Sequence, residues 1–264
     1  MLIARREADD GCREARTQGA PISRIWARPR TPHRGIQRRI ATWPFSVKRA
    51  LTPSGILLVD KPAGPTSFAI VASVRKRTGA RTGHAGTLDP FATGLLLLLS
   101  GAATRLQPRF VGLGKRYVTE IDLAATTSTG DPEGEIVEEH DPLAADELEV
   151  RLTSLRGAVD LKIPAASAVK IDGERAYRLH RRGVVVEMPV RRMHVHELRL
   201  EDYADGLARL DLSVSSGTYV RAIAEALGGH CRTLRRTEIG PFSIEEADSD
   251  RMIPPEEALA RLPG

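Results

Sequence analysis

Five consecutive leucines, Leu95–Leu99, form the most strongly apolar run of this chain. A loop of small and polar residues, Arg81-Thr-Gly-His-Ala-Gly-Thr-Leu-Asp-Pro-Phe-Ala-Thr-Gly94, leads straight into it. A membrane-spanning helix needs about 20 apolar residues, so the run belongs in a protein core. Gly83 and Gly86 let the loop fold tightly and bring its backbone close to a ligand. Asp89 then stands at the mouth of a buried strand or helix, where a carboxylate is poorly solvated and usefully placed as a nucleophile or base. A lone Asp before Pro would more simply cap the segment that follows.

The flanking sequence has the texture of a mixed fold. Gly55-Ile-Leu-Leu-Val-Asp60 is a short apolar run halted by Lys61-Pro62 and reads as a buried strand. Pro65-Thr66-Ser67 offers a helix N-cap. Phe68, Val71 and Val74 follow with helical spacing, and Arg75, Lys76 and Arg77 fill the last turn before Gly79. Residues 116–123 predict a strand with Tyr117, Ile121 and Leu123 on one face, and a turn-rich stretch spans 126–134. Leu148, Leu152 and Leu155 mark an amphipathic helix ending at Gly157. Residues 163–192 are basic and poorly periodic, which predicts a long loop or inserted hairpin. Residues 193–200 and 207–214 predict strands, the second alternating at Ala208, Leu210, Leu212 and Val214. Ser216-Gly-Thr218 leads into a helix with Val220, Ile223 and Leu227 on its apolar stripe, ended by Gly228-Gly229. Strands and helices joined by tight connections predict an α+β fold rather than a regular βαβ repeat.

Charge separates two expected parts. Residues 1–50 hold 11 Arg and one Lys against four acidic residues, while the whole chain of 264 residues holds 39 basic and 34 acidic ones. The remainder, 51–264, is therefore slightly acidic and is expected to form the folded domain. Residues 1–50 lack a signal peptide's apolar core and suit a transit peptide poorly. They are expected to be a disordered extension, a flexible basic arm that adds nonspecific RNA affinity, or the product of a start placed too far upstream. Cys12 and Cys231 cannot build a disulfide framework, and no Cys/His spacing reads as a zinc site. Disulfide scaffolds, membrane proteins and zinc modules are excluded, and a reducing cytoplasm is the expected compartment.

The pattern around Asp89 extends well beyond one residue. Gly83-His-Ala-Gly-Thr-Leu-Asp-Pro-Phe-Ala-Thr-Gly-Leu95 resembles the catalytic motif of the TruB family of tRNA pseudouridine-55 synthases. Four further segments resemble that family's motifs in the same order: Val59-Asp-Lys-Pro-Ala-Gly64, Lys115-Arg-Tyr117, Ser216-Gly-Thr-Tyr-Val-Arg221 and Leu234-Arg-Arg-Thr-Glu-Ile-Gly-Pro-Phe242. The resemblance implies the pseudouridine synthase fold, a mixed and largely antiparallel sheet flanked by helices, with an inserted RNA-binding loop. It implies isomerisation of one uridine in the T loop of tRNA, whose glycosidic bond breaks and whose base is rejoined through carbon, with no cofactor and no metal. A stacked base must first be flipped into a pocket, at a cost of roughly a few kcal/mol. Stacking on a tyrosine recovers about 1–3 kcal/mol of that.

The same resemblance assigns roles to residues. Asp89 is the essential carboxylate, which either attacks the sugar or base or removes a ribose proton to give a glycal. Arg221 is its partner, since a guanidinium can hold a carboxylate bidentately; an exposed pair with Glu225, one turn on, is the plainer reading. Tyr117 carries the stacking role, against the plainer reading of a core-facing strand aromatic. Tyr219 is a second aromatic beside the uracil or its proton-transfer site. His84 contacts the flipped-out T loop rather than a metal, and Gly86, Lys61 and Lys170 complete the substrate-binding set. His194 and His196 point one way on a strand, lack a third ligand and are read as structural.

RNA binding must rest on local clusters, because the body of the chain is net acidic. Three stand out: Arg75, Lys76, Arg77 and Arg81; Lys170, Arg175, Arg178, Arg181 and Arg182; and Arg232, Arg235 and Arg236. The middle one lies in Ser167-Ala-Val-Lys170…Gly173…Tyr177, which is similar to a family segment, although any one cluster could be an ordinary solvated face. Ala166 stands where the family has an aromatic, and His180 where a small residue is expected. The chain ends at Gly264, soon after Phe242, so the family's appended PUA domain is expected to be absent. The implied partner is tRNA through its T arm, with no membrane, no protein partner and a monomeric enzyme. The alternative from another class is a noncatalytic RNA chaperone using the same surface. A small-molecule lyase with Asp89 as base lacks any phosphate loop or cofactor motif and must also explain the basic clusters.

Overall fold

The computed structural model describes residues 54–263, so the expectations for residues 1–50, Cys12 included, lie outside the described residues. The chain runs through β1 (Gly55–Lys61), α1 (Ser67–Thr78), β2 (Thr82–His84), β3 (Thr93–Ser100), α2 (Gln107–Val111) and β4 (Lys115–Asp122). Then come β5 (Ala125–Thr127), β6 (Ile136–Glu139), α3 (Ala145–Ser154), β7 (Gly157–Lys162), β8 (Lys170–Ile171), β9 (Glu174–Arg175) and α4 (Ala176–Arg181). It closes with β10 (Val190–Ala204), β11 (Leu207–Val214), α5 (Val220–Ala226), β12 (His230–Ile239), β13 (Phe242–Ser243), β14 (Met252–Ile253) and α6 (Pro255–Ala260).

Among the described residues, ten strands form one sheet in the order β14-β1-β3-β12-β4-β11-β10-β7, with β13 beside β12 and β2 beside β3. Its pairings are antiparallel apart from β12 with β3, where Arg235 and Arg236 lie opposite Thr93 and Gly94. This is the mixed, largely antiparallel α+β architecture expected.

The two halves of the sheet differ in how they are covered. Leu95–Leu99 are wholly buried because β3 has protein on both faces. Leu95, Leu97 and Leu99 pack with Ile56, Leu58, Phe110 and Phe242 on one side. Leu96 and Leu98 pack with Leu57, Val59 and the Ile70, Val71 and Val74 stripe of α1 on the other. Two-sided burial, at roughly 1.5–3 kcal/mol per leucine, is why the run shows no alternation. β11 is covered on one side only: Ala208, Leu210, Leu212 and Val214 join the core under α3 and α5. Its other face carries ion pairs to β4, Arg116–Asp211 at 2.9 Å and Arg209–Glu120 at 3.3 Å.

Several expectations need correction. Phe68 is 67% exposed rather than on the buried stripe of α1, because Ser67 and Ile70 take the inward positions there. Segment 163–192 does contain the expected inserted hairpin, β8–β9, but adds α4 after it, which the weak periodicity there does not predict. β7 and β12 carry no clear strand signal in the sequence. In β12 the inward position 236 is an arginine, which breaks the apolar alternation.

Candidate active site

The loop that carries Asp89 is pinned from both sides. Ala85 sits in the cluster on one face of β3, whereas Leu88 and Ala92 sit in the core under α5 together with Tyr117. Around those anchors, buried cations and a hydroxyl hold the loop's main chain. Lys61 is wholly buried, and its ammonium donates to the carbonyls of Pro62 (2.8 Å), Pro90 (3.1 Å) and Ala92 (2.6 Å). Arg236, also buried, donates to Leu95 O at 2.7 Å, Thr87 O at 3.4 Å and Gly86 O at 3.3 Å. The hydroxyl of Ser67 bonds to the Leu88 peptide, and Gly64 N–H donates to Pro90 O at 2.8 Å. Two glycines are required by this packing. Gly86 has φ 116°, a conformation closed to most side chains. A Cβ on Gly94 would lie 2.2 Å from the Arg236 carbonyl oxygen across the strand pair.

Arg221, in the first turn of α5, is the hub. Its side chain is 3% exposed and its Nε donates to Asp89 Oδ2 at 3.0 Å, while the Asp89 side chain keeps 33% of its surface open. Nη1 donates to Thr129 O at 2.7 Å and lies 3.4 Å from Asp131 Oδ2. Nη2 donates to Ala166 O at 2.9 Å. The bidentate grip expected from the sequence is therefore replaced by a divided one: a single nitrogen serves Asp89, and the others brace the 127–134 turn and the start of the inserted segment. The exposed Arg221–Glu225 reading does not fit a guanidinium this deeply buried. Asp131 is itself fixed, accepting from Thr129 Oγ1 at 2.6 Å and Glu133 N at 3.0 Å. Because Arg221 takes a main-chain oxygen at position 166, the missing aromatic there costs this contact nothing.

The remaining candidates fall into place unevenly. Tyr117 is 7% exposed and packs in the cluster that contains Leu88, next to Asp89 in the chain. Tyr219 caps the start of α5 two residues before Arg221, with the Arg191 guanidinium 5.9 Å from its ring centre. The buried Nδ1 of His84 has no hydrogen-bond partner, and burial together with the nearby Arg236 lowers its pKa below the ordinary histidine value. Lys61 was expected to touch substrate; its three carbonyl bonds make it a brace beneath the loop instead. Burial lowers it to about 8, with Asp89 pulling the other way. Lys115 is held similarly, by Val111 O and Ser216 Oγ among others, and is lowered to about 8 by burial and by Arg236. Lys170 is exposed on β8.

The third basic cluster does not exist as a surface. Arg236 is buried, Arg235 grips Asp60 through two bonds of 3.1 and 2.8 Å, and Arg232 alone stands exposed. The middle cluster does: Lys170, Arg175, Arg178, Arg181 and Arg182 are all exposed. Within it, His180 Nε2 lies 3.1 Å from Ser128 O, tying α4 to the turn that Arg221 braces. His194 and His196 share a face with ring centres 4.5 Å apart, as expected. Among the described residues, no group of three or more His, Cys, Asp or Glu is placed to hold a metal ion. No helix there is long and apolar enough to cross a membrane.

Sequence reasoning missed Ser67, Asp131 and the bracing role of Arg236. In the sequence Ser67 looks like no more than part of a helix start, and Asp131 like ordinary turn chemistry. An arginine inside an apolar strand pattern was the one available signal for Arg236.

The profile of the TruB family pseudouridylate synthase N-terminal domain matches residues 74–220. The tRNA pseudouridine synthase B of Leifsonia xyli subsp. xyli is 42% identical over 222 residues, which cover 78% of this chain and 74% of the relative. The synthases of the same name from Corynebacterium efficiens and Ruegeria pomeroyi are 41% and 43% identical, covering 77% and 71% of their lengths and 79% and 80% of this chain. Among solved structures, a chain of the crystal structure of a Cbf5-Nop10-Gar1 complex is similar with a TM-score of 0.56 and 26% identity, over 72% of this chain and 50% of that one. With the family profile spanning more than half of the chain and such relatives covering most of it, this chain belongs to the TruB family of pseudouridylate synthases.

Proposed function

We infer that this chain isomerises a uridine of tRNA to pseudouridine, that the target is the uridine at position 55 of the T loop, and that Asp89 is the reacting carboxylate. In the overall change the N1–C1′ bond breaks, a C5–C1′ bond forms, the hydrogen on C5 leaves to water and N1 takes up a proton. The observation that carries the reading is the Asp89–Arg221 pair: a one-third-open carboxylate held at 3.0 Å by a buried guanidinium. A guanidinium that close fixes the orientation of the carboxylate that either a nucleophile or a base requires.

The reacting base reaches Asp89 only after leaving its stack. The exposed cations of 170–182 supply the phosphate contacts that hold a folded RNA by its shape. The same reading takes the enzyme as a cytoplasmic monomer that needs no cofactor, with residues 1–50 as a basic extension.

The test is tritium release from tRNA transcripts labelled at uracil C5, with the modified position mapped afterwards. Release confined to the T-loop uridine is expected. Tight tRNA binding without release would favour the chaperone reading, and release mapped elsewhere would move the target.

A further inference from the structure

We propose that Ser67 is a positioning residue of the reaction: its hydroxyl holds both main-chain polar groups of Leu88, the N–H of the 87–88 peptide and the C=O of the 88–89 peptide, and thereby fixes where Asp89 stands. Ser67 is the first residue of α1 and is 2% exposed. A serine at a helix start normally serves as the cap, but here Thr66 does so, its Oγ1 accepting from Ala69 N at 3.1 Å. The Ser67 hydroxyl is thus free for another use, and it faces a residue 21 positions away. It accepts from Leu88 N at 2.8 Å and donates to Leu88 O at 2.8 Å. One hydroxyl can do both because it carries one donor and two acceptor sites.

The clamp lies one peptide from Asp89. The Leu88 side chain is locked in the core under α5 at 3% exposure, and Asp89 accepts from Arg221 on the far side. Side-chain packing fixes the Leu88 position but not the rotation of the 88–89 peptide plane, whose carbonyl the Ser67 hydroxyl holds, and that rotation sets the direction in which the Asp89 carboxylate leaves the chain. The hydroxyl of Ser67 supplies the missing restraint. A misplacement of about 1 Å at a reacting group costs on the order of 100-fold in rate, so a small peptide rotation is enough to matter.

This rests on the reading of Asp89 as the reacting group, and the experiment separates the two. Single-turnover tritium release at saturating enzyme, tRNA dissociation constants and thermal midpoints are measured for wild type, Asp89→Asn, Ser67→Ala and Ser67→Thr. Ser67→Ala is expected to lose roughly 10- to 100-fold in the single-turnover rate, with tRNA affinity within about two-fold of wild type. Ser67→Thr, which keeps the hydroxyl, is expected to regain most of that rate. A Ser67→Ala rate equal to wild type, a loss matched by weaker tRNA binding, or a failure of Thr to outperform Ala would overturn the proposal. Release by Asp89→Asn at the wild-type rate would instead overturn the reading of Asp89, and a wild type that releases no tritium would overturn the proposed activity. If Ser67→Ala does not fold, Ser67→Cys replaces it, and its weaker hydrogen bonds must give a rate between those of wild type and Asp89→Asn.

Discussion

Two polar regions meet at Arg221 and use their charge in opposite ways. Around loop 85–92, Lys61, Arg221 and Arg236 are buried and donate mainly to main-chain carbonyls. In segment 163–192, Lys170, Arg175, Arg178, Arg181 and Arg182 stand in water, with pairs such as Arg182–Glu174 at 2.8 Å on the surface. A buried cation is expensive unless every donor finds an acceptor, and once satisfied it is rigid. An exposed cation is nearly free to place but holds little geometry of its own. The loop cations therefore fix where atoms stand, and the insert cations are available to phosphate. The first region should govern rate, and the second affinity.

The largest effect that could break this division is at Arg221. Arg221→Lys keeps a charge but cannot serve Asp89, Asp131, Thr129 and Ala166 together. Single-turnover release should fall by roughly 100-fold or more, with a much smaller change in tRNA affinity. An equal loss in both quantities would show that Arg221 serves binding.

A smaller effect follows from pH. Lys61 and Lys115 lose their protons at about 8 in the folded protein, against 10.5 for the ordinary side chain. Below pH 8 the fold carries the cost of burying both charges; that cost fades between pH 8 and 10.5, so these groups favour stability as pH rises there. Activity should move the other way. A neutral amine has two N–H groups for the three acceptors around Lys61, so the loop loosens. The single-turnover rate should decline through about pH 8 while the thermal midpoint holds or rises relative to the other titrating groups. A rate flat to about pH 10 would contradict the bracing role.

The smallest effect is expected in the insert. Arg181→Ala should weaken tRNA binding a few-fold and lower the slope of log affinity against log salt by about one, leaving the rate at saturating enzyme unchanged. A change in that saturated rate would mean that the insert also shapes the reacting geometry, for which His180 and Ala166 provide the contacts.

How much of this could be read from the chain alone follows the same division. Features that repeat along one element were legible: the α1 stripe of Val71 and Val74, the alternation of β11, and the glycine-rich approach to Leu95. Asp89 and Arg221 were legible as motif residues, but their geometry was not. The divided grip of Arg221 depends on carbonyls at positions 129 and 166, and a carbonyl has no residue type to read. Arg236 was misplaced in a surface cluster because its value to the fold lies in main-chain oxygens delivered by a distant loop. Ser67 and Asp131 escaped for a related reason: each looks like ordinary turn or cap chemistry until the partner 21 or 90 residues away is in place. Hydropathy alone places Phe68 on the buried stripe, whereas the inward position belongs to a serine.

The most direct measurement is tRNA binding and C5-tritium release by Asp89→Asn beside wild type. The substitution keeps the size of the side chain, removes its charge and replaces one acceptor oxygen with an NH2 donor. The account predicts release below detection with tRNA affinity within a few-fold of wild type. Full release by Asp89→Asn, or loss of binding in step with loss of release, would contradict it.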